Sequence, residues 1–322
     1  MSLAGALGAA LGLLVTTIAA ASLATEGSAL IDAPAPPTLP ALAHARSTLT
    51  LEFTGASVAP SAPQATGGGG RATAWFTHAE LEAPLQPRVW YVGAAADTVS
   101  AAVPGLRREY FFSNPELWAR GLWSSLVGLS AGAGFGLVLP LPRDLSPAQV
   151  DVLQTVRVVR PWDAAYFADR TLTLRPWFDV RHIAWRFIFQ FRQGLDASVV
   201  ARDLRRSPIP ASGAIAALPQ IASLEHRLDL LARATFYVGF RASDAIGLGL
   251  EMWEVYALTA DVADDKRAAF AVSPSVRLML GRVAPAFSVL LPLTTPLRGE
   301  ASSYYAVRFN VGFDFDFGKR DP

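Results

Sequence analysis

The side chains best suited to catalysis or metal binding are few in this chain and poorly spaced for either task. No two histidines stand two or four residues apart, the spacings that bring two imidazoles onto one face of a strand or helix. The histidines are His44, His78, His182 and His226. Cysteine is absent, which excludes disulfides, thiolate chemistry and cysteine-bound metals. Ser124, Ser125 and Ser130 fall on one predicted strand, where we predict no nucleophile elbow. The sequence therefore predicts no catalytic, metal or cofactor site.

Two carboxylates near the end of the chain, Asp314 and Asp316, come closest to a catalytic pair. Alternate residues of a strand lie on one face about 7 Å apart, so both carboxylates would face the same side as Arg308. Buried charges are costly unless they are paired or hydrated. We therefore interpret these aspartates as charges of a polar interior that pair with arginines, and not as an acid and a base.

The segment that carries these carboxylates, 305–317, has one apolar and one polar face. The apolar parity consists of Tyr305, Val307, Phe309, Val311, Phe313, Phe315 and Phe317. A soluble edge strand rarely exposes so many aromatic side chains, and a strand buried on both faces rarely carries several charges. The wall of a membrane-spanning barrel suits both faces, because its outer face meets lipid and its inner face meets a lumen.

The same alternation recurs along the chain and predicts an all-β fold, an antiparallel up-and-down transmembrane barrel over 47–317. The predicted strands lie near 47–54, 71–82, 88–98, 123–141, 149–160, 170–179, 183–196, 226–241, 245–257, 267–281, 284–292 and 303–317. Short and long connections alternate between these twelve strands, as they do in membrane barrels. Ten strands are the alternative, because 47–54 is short for a span and a parity flip near 180–182 marks either a turn or a bulge.

The final segment resembles the last strand of bacterial outer-membrane β-barrel proteins, which alternates aromatic residues and ends in phenylalanine. Phe309, Phe313, Phe315 and Phe317 match that pattern. The resemblance is to the broad class of porin-like and transporter barrels and to no specific family. It implies a location in the outer membrane of a Gram-negative-type cell envelope, with outer-membrane lipid and the barrel-insertion machinery as partners.

The two ends of the chain are predicted to lie outside the barrel. Residues 1–24 are apolar and end in small residues, which predicts a signal helix. Residues 25–46 form a Pro/Ala-rich linker, and 318–322 form a short polar tail. After residue 24 no run reaches the roughly 18 to 20 apolar residues of a membrane helix. The net charge of +1 gives no reason to expect a nucleic acid partner.

Side chains on the polar parity of the predicted strands form the candidate site, because they would line the lumen. These are Arg186, Gln190, Arg192, Arg227, Asp229, Arg233, Arg241, Glu251, Arg277, Arg308, Asn310, Asp314 and Asp316. A water-filled lumen rich in arginine predicts a passive channel or transporter for small polar or anionic solutes. If salt-bridged side chains fill the barrel, it is instead a closed structural or ligand-binding barrel that acts through its extracellular loops. A membrane-embedded lipid-modifying enzyme is the third interpretation, because its site would assemble across strands.

Two further expectations concern the tryptophans and the longest loop. The eight tryptophans fall mainly near predicted strand ends, which predicts girdles at the two membrane interfaces. The loop at 197–225 is long enough to fold inward as a constriction or outward as a lid.

Overall fold

The computed structural model describes the chain between residues 47 and 315 with ten internal gaps. The described ranges are 47–60, 71–86, 89–102, 107–126, 129–141, 159–168, 170–200, 228–259, 267–280, 282–294 and 301–315. The predicted signal helix, linker and polar tail lie outside these ranges. Among the described residues, no helix is long and apolar enough to cross a membrane.

Nearly all of the described chain is β-strand, with one short 3-10 helix, Pro161–Phe167, which we name the lumen helix. The strands are β1 (Ser47–Pro60), β2 (Ala72–Gln86), β3 (Trp90–Ala102), β4 (Glu109–Phe112), β5 (Glu116–Leu126), β6 (Leu129–Val138), β7 (Thr171–Ala184), β8 (Phe187–Val200), β9 (Leu228–Arg241), β10 (Ile246–Ala257), β11 (Ala268–Leu278), β12 (Val283–Pro292) and β13 (Ala301–Phe315).

Twelve of these strands close into a single antiparallel barrel. From β5 to β13 each strand pairs with the next, β13 pairs with β1, β1 with β2, β2 with β3, and β3 with β5. β4 is an extra short strand, which pairs with β3 beyond the end of the β3–β5 ladder. The prediction of a twelve-stranded, all-β, up-and-down barrel is confirmed.

The two faces of the wall follow the period-2 pattern of the sequence. On β10, Leu248, Leu250 and Met252 are exposed, whereas Glu251 and Trp253 are buried. The exposed parity forms an apolar outer surface around the barrel, and the buried parity faces the lumen. Only this register places the apolar residues against lipid and the polar residues in the lumen, because a shift of one residue would exchange the two faces.

All of the short connections lie at one end of the barrel, which we name the short-turn end. They include the turn between β7 and β8, at Trp185 and Arg186, and residues 242–245 between β9 and β10. The opposite, long-loop end carries the connections at 139–170 and 201–227, and the β3–β5 connection that contains β4. In outer-membrane barrels the long loops face the exterior and the short turns face the periplasm.

The sequence predicted the right number of strands from partly wrong segments. β5 lies mainly in the predicted loop 99–122, and the predicted strand 123–141 is the end of β5 followed by β6. The predicted strand 149–160 falls outside the described residues up to 158, and Val159 and Arg160 are not in a strand. The boundary between β5 and β6 was missed although Ser124, Ser125 and Gly128 are common turn residues, because the alternation over 127–139 was extended back through them.

The hairpin predicted at 180–182 is also corrected. β7 continues to Ala184, and the turn consists of Trp185 and Arg186. Trp185 has φ of 55°, the left-handed conformation that tight hairpin turns require and that large side chains rarely adopt. A turn without glycine, proline or asparagine gave no signal in the sequence, so the parity flip before it was assigned to the turn instead.

Candidate functional site

The lumen is lined by two different sets of side chains. Towards the long-loop end, the inner wall of β1 to β3 and of β10 to β13 consists mainly of small apolar residues, whereas β5, β7 and β8 carry Glu116, Arg175 and Asp196 there. The buried apolar residues include Ala56, Val58, Ala72, Ala74, Ala101, Val255, Ala257, Ala269, Ala271, Leu290 and Ala306. Towards the short-turn end, the same parity carries arginines, carboxylates and amides. The lumen helix packs at the boundary between these two regions.

Aromatic contacts hold the lumen helix against the inner wall. The ring of Trp162 lies 3.6 Å from that of Trp253 on β10, measured between centroids. Phe167 meets Phe76 of β2 edge to face, with centroids 5.9 Å apart. All four rings are buried. The lumen helix, which belongs to the described part of the β6–β7 connection between 159 and 168, therefore lies inside the barrel and is packed there as part of its core.

Arg160, just before the lumen helix, ties it to the wall through charge. Its Nη1 lies 2.9 Å from Oδ1 of Asp97 on β3, and its Nε donates to Oδ2 of Asp163 at 3.0 Å. Burial alone would raise the pKa of Asp163, but the guanidinium groups of Arg160 and Arg175 lower it below the ordinary value. The carboxylate therefore stays ionised and keeps the two arginines in place.

Arg175 on β7 is the second anchor of the lumen helix. Its Nη1 donates to Glu116 at 2.8 Å, its Nε to Asp196 at 3.1 Å, and its Nη2 to the carbonyl oxygen of Trp162 at 3.0 Å. Glu116 in turn accepts a short hydrogen bond from the hydroxyl of Tyr166. This single buried guanidinium thus joins strands β5, β7 and β8 to the helix.

Asn114, between β4 and β5, completes the attachment. Its Nδ2 donates to the carbonyl oxygens of Ala165 and Ala168 at 3.3 and 2.6 Å, and its Oδ1 accepts from the backbone N–H of Leu141 at 3.1 Å. The backbone N–H of Asn114 bonds the carbonyl of Tyr166 at 2.8 Å. The last carbonyl groups of a helix have no hydrogen-bond donor within the helix. The side-chain amide of Asn114 is the donor here.

The short-turn region holds charges paired directly between strands. Arg308 on β13 contacts Glu251 at 2.9 Å and the hydroxyls of Ser273 and Ser288 at 2.9 and 3.1 Å. These residues come from β10 to β13, so one guanidinium links four consecutive strands.

A second pair in the short-turn region crosses from β5 to β2. Arg120 donates through Nε to Glu82 at 2.8 Å and lies over the ring of Tyr91, 4.6 Å from its centroid. Three strands further along the wall, Arg192 of β8 lies 3.8 Å from Asp179 and 4.1 Å above the ring of Trp177. Each arginine therefore has both a carboxylate and an aromatic face close by, the arrangement that offsets guanidinium desolvation.

The residues predicted to line the lumen are found in four kinds of place. Buried on the inner parity are Gln190, Glu251, Arg308 and Asn310; half-buried on the same parity are Arg192, Asp229, Arg233, Arg241 and Arg277. Asp314 has the inner parity but is exposed at the short-turn end of β13. Arg227 and Asp316 lie outside the described residues.

Arg186 is a correction, because it lies in the β7–β8 turn and not on the inner wall. Its guanidinium is over the ring of Trp185, 5.3 Å from the centroid, and the side chain is exposed. The sequence assignment extended the alternation of β8 one residue beyond the strand.

The charged residues that hold the lumen helix were missed by sequence reasoning. They are Asp97, Glu116, Arg160, Asp163, Arg175 and Asp196. Glu116 was assigned to a loop, and Arg160 and Asp163 carry no periodic pattern that points into a barrel. The loop expected to fold inward was 197–225, which lies outside the described residues from 201 onwards. The sequence offered one signal for these residues. Asp97, Arg175 and Asp196 are charged side chains on the inward-facing positions of β3, β7 and β8, where an unpaired charge would be costly.

The tryptophan girdle is confirmed for only half of the tryptophans. Trp75, Trp90, Trp123 and Trp185 are exposed. Trp118, Trp162, Trp177 and Trp253 lie on the lumen side. Trp118 faces Gly93 and Trp177 faces Gly134 across the ladder, and a Cβ on either glycine would be 2.2 Å from the indole. These glycines provide the space that an inward tryptophan needs.

Ser130 stands in a G-x-S-x-G spacing, Gly128 to Gly132, which the sequence expectation overlooked. A nucleophile elbow requires a strand-to-helix turn, whereas Ser130 lies inside β6, opposite Arg181 of β7. Its buried Oγ has no hydrogen-bond partner among the described residues. No three His, Asp or Glu side chains gather into a metal-binding group in the described part of the chain.

Comparison with known proteins gives relatives by fold and not by sequence. No protein-family model matches the chain, and no curated protein matches it. Among solved structures, it is similar to the NanC porin, with 10% identity over 83% of this chain and 100% of that one and a TM-score of 0.51. It is also similar to the COG4313 outer membrane channel from Pseudomonas putida F1, with 8% identity over 91% and 100% of the two chains and a TM-score of 0.56.

At such low identity these likenesses establish the fold alone. The chain has the fold of the bacterial outer-membrane β-barrels, the class that includes porins and channels. Within that class the comparisons single out no specific family.

Proposed function

We propose that this protein is a passive channel for small polar or anionic solutes in the outer membrane of a Gram-negative-type cell envelope. The observation that carries the proposal is the set of arginines on the inner wall of the short-turn region. They come from five strands and are Arg120, Arg181, Arg192, Arg277 and Arg308. Rings of like charge on a pore wall attract ions of the opposite sign.

The balance of charge in this region favours anions. Three fully buried carboxylates, Glu82, Asp179 and Glu251, pair with members of the arginine set. Among the described residues, these five guanidinium groups have three buried carboxylates as ion-pair partners. The excess supports a positive potential on the periplasmic side of the lumen helix.

A closed barrel is the second candidate, and the lumen helix is the observation that favours it. A buried segment held by two arginines and four aromatic rings obstructs the lumen between its two regions. If the lumen helix stays docked against the inner wall when the protein is in a membrane, the barrel conducts nothing. Its function then depends on the extracellular loops.

We further infer that the protein is not an enzyme, since Ser130 lies inside β6 and in no nucleophile elbow. His78, whose Nδ1 is 3.2 Å from Asp97, belongs with Arg160 to the charges around the lumen helix. Outer-membrane lipid and the barrel-insertion machinery are its expected partners, as they are for barrels with this kind of final strand.

The test is single-channel recording of the refolded protein in a planar bilayer, with the reversal potential measured across a KCl gradient. Steady openings with an anion preference support the channel. Silence from a barrel whose folding is verified by heat-modifiable migration in gels overturns it in favour of the closed barrel. Openings with a cation preference contradict the assigned role of the arginines.

A further inference from the structure

Three exposed arginines stand at the long-loop end of β1 to β4, and two of them, Arg71 and Arg108, bond side chains on the outside of the barrel. Arg71 immediately precedes β2, and Arg107 and Arg108 precede β4. The lumen does not involve them, because the outward parity of β1, β2 and β3 at this height consists of Ser57, Thr73 and Ser100. A cluster of cations on the lipid-facing side of a membrane barrel requires a partner, since lipid tails offer none.

Hydrogen bonds to these three hydroxyl residues fix two of the arginines side by side. Arg71 donates through Nε to Ser57 Oγ at 2.7 Å and through Nη2 to Ser57 O at 3.2 Å. Arg108 donates to Ser100 Oγ at 3.0 Å and Thr73 Oγ1 at 3.4 Å. Ser57 and Thr73 are directly opposite each other in the β1–β2 ladder, where Cβ atoms are about 5 Å apart. The two guanidinium groups therefore bond neighbouring side chains.

No acid neutralises this pair among the residues that the structure describes. Neither Arg71 nor Arg108 forms an ion pair there, and Glu109 takes the inward parity of β4 with the buried Phe111. The adjoining segments 61–70 and 103–106 contain no aspartate or glutamate in sequence. Among the described residues, Arg71 and Arg108 therefore form a pair of neighbouring positive charges with no carboxylate bound to either.

Exposed aromatic side chains surround the arginines on the same outer face. Tyr110 and Phe112 of β4 are 72% and 73% exposed, and Trp75 of β2 is 61% exposed. Tyr305 lies under the guanidinium of Arg71, 5.4 Å from ring centroid to Cζ. Aromatic rings at this height mark the level of lipid headgroups, so the surface combines a cationic head with an apolar body directed towards the bilayer.

We propose that this surface binds a phosphorylated glycolipid of the outer leaflet, with its phosphate between Arg71 and Arg108 and its acyl chains against Trp75 and Phe112. Guanidinium groups are the preferred partners of phosphate because their N–H donors match its oxygens in pairs. The long-loop end faces the leaflet that carries such lipids. The site depends on the fold and its orientation, and it is independent of whether the lumen conducts.

The experiment compares lipid retention by native mass spectrometry of the full-length, detergent-purified protein. The probes are diphosphoryl lipid A and the same lipid A after enzymatic removal of its phosphates. The double variant R71Q/R108Q is compared with wild type, and R186Q is the matched control, because Arg186 also lies over an exposed aromatic ring but at the opposite end of the barrel. Heat-modifiable migration verifies folding of each variant.

We expect wild type and R186Q to retain diphosphoryl lipid A equally, and R71Q/R108Q to lose affinity at least about tenfold, since two charge-assisted hydrogen-bond donors are removed. Dephosphorylated lipid A should bind all three proteins as weakly as the double variant binds the intact lipid. The proposal is overturned if the double variant retains the intact lipid like wild type, or if removal of the phosphates leaves binding to wild type unchanged.

Discussion

The long-loop and short-turn regions of the lumen solve the same problem, filling the inside of a barrel, by different means. In the long-loop region most of the wall is small and apolar, and a separate segment, the lumen helix, occupies the space and is anchored to the charged residues of β5, β7 and β8. In the short-turn region the wall itself supplies large charged side chains that pair across strands. The lumen helix can leave the lumen without breaking the wall, because it belongs to a connection and not to a strand. The ion pairs of the short-turn region cannot separate in this way, because both partners belong to wall strands.

For the channel that we propose, this difference predicts where the barrel opens. Releasing the lumen helix costs its aromatic contacts, the ion pair between Arg160 and Asp97 and the hydrogen bond from Arg175 to the carbonyl of Trp162, but none of the ladder hydrogen bonds. Removing Arg308 instead takes away a guanidinium that contacts side chains of three other wall strands. We therefore expect gating in the long-loop region and selectivity in the short-turn region.

The largest effects are expected from alanine substitutions of Arg175 and Arg308, which should differ in conductance. Arg175→Ala leaves Glu116 and Asp196 without their shared partner and frees the carbonyl of Trp162, which should lower the free energy of unfolding by about 3 to 5 kcal/mol and raise conductance. Arg308→Ala should destabilise comparably without raising conductance. Urea unfolding in lipid vesicles and bilayer recording measure the two quantities. Equal conductance in the two variants would break the division between the regions.

Trp162→Ala tests the aromatic side of the same attachment. Loss of the contact with Trp253 should cost up to about 3 kcal/mol and increase the open probability, because no charge of the wall is altered. Trp123→Ala, on the outer face, is the control and should leave open probability unchanged. If the Trp162→Ala variant folds but shows no channel openings, the lumen helix is not the gate.

Substitutions on the outer face should have similar effects on stability in the long-loop and short-turn regions, because lipid covers both regions. Phe309→Arg, on the outer parity of β13, should cost about 2 to 4 kcal/mol if it lies near the bilayer midplane. Asn310→Arg, one residue along and facing the lumen, should cost far less. Unfolding in vesicles of defined thickness measures both, and similar losses would contradict the facing of β13.

The smallest effect concerns selectivity. Arg277→Gln removes one positive charge from the short-turn wall and should shift the reversal potential towards cations by a few millivolts, with stability little changed. Arg186→Gln, in the exposed turn, should leave the reversal potential where it is. A shift of equal size in both variants would mean that the potential outside the pore, and not the lumen wall, sets the preference.

The alternation of side chains by itself determined that this chain is a membrane barrel of twelve strands. In β13 and β8 nearly every residue obeys the two-face pattern, since lipid and lumen impose opposite requirements on neighbouring positions. The same local signal gave the inner parity of Gln190, Glu251, Arg308 and Asn310. It failed at β5, whose boundaries at Asn114-Pro115 and Gly128 were assigned to a loop and to the inside of a longer strand, and at the turn after Ala184, which lacks glycine, proline or asparagine.

Only the tertiary structure decided what occupies the lumen. Arg160 ends a predicted strand and Trp162 and Asp163 fall in a predicted loop, whereas their partners Asp97, Trp253 and Arg175 lie on the barrel wall. Such contacts depend on how strands meet around a closed wall, which no local pattern encodes. The sequence determined which side chains face inward because facing is set by neighbours along one strand. Which of them meet is set by the register of strands that are far apart in the chain.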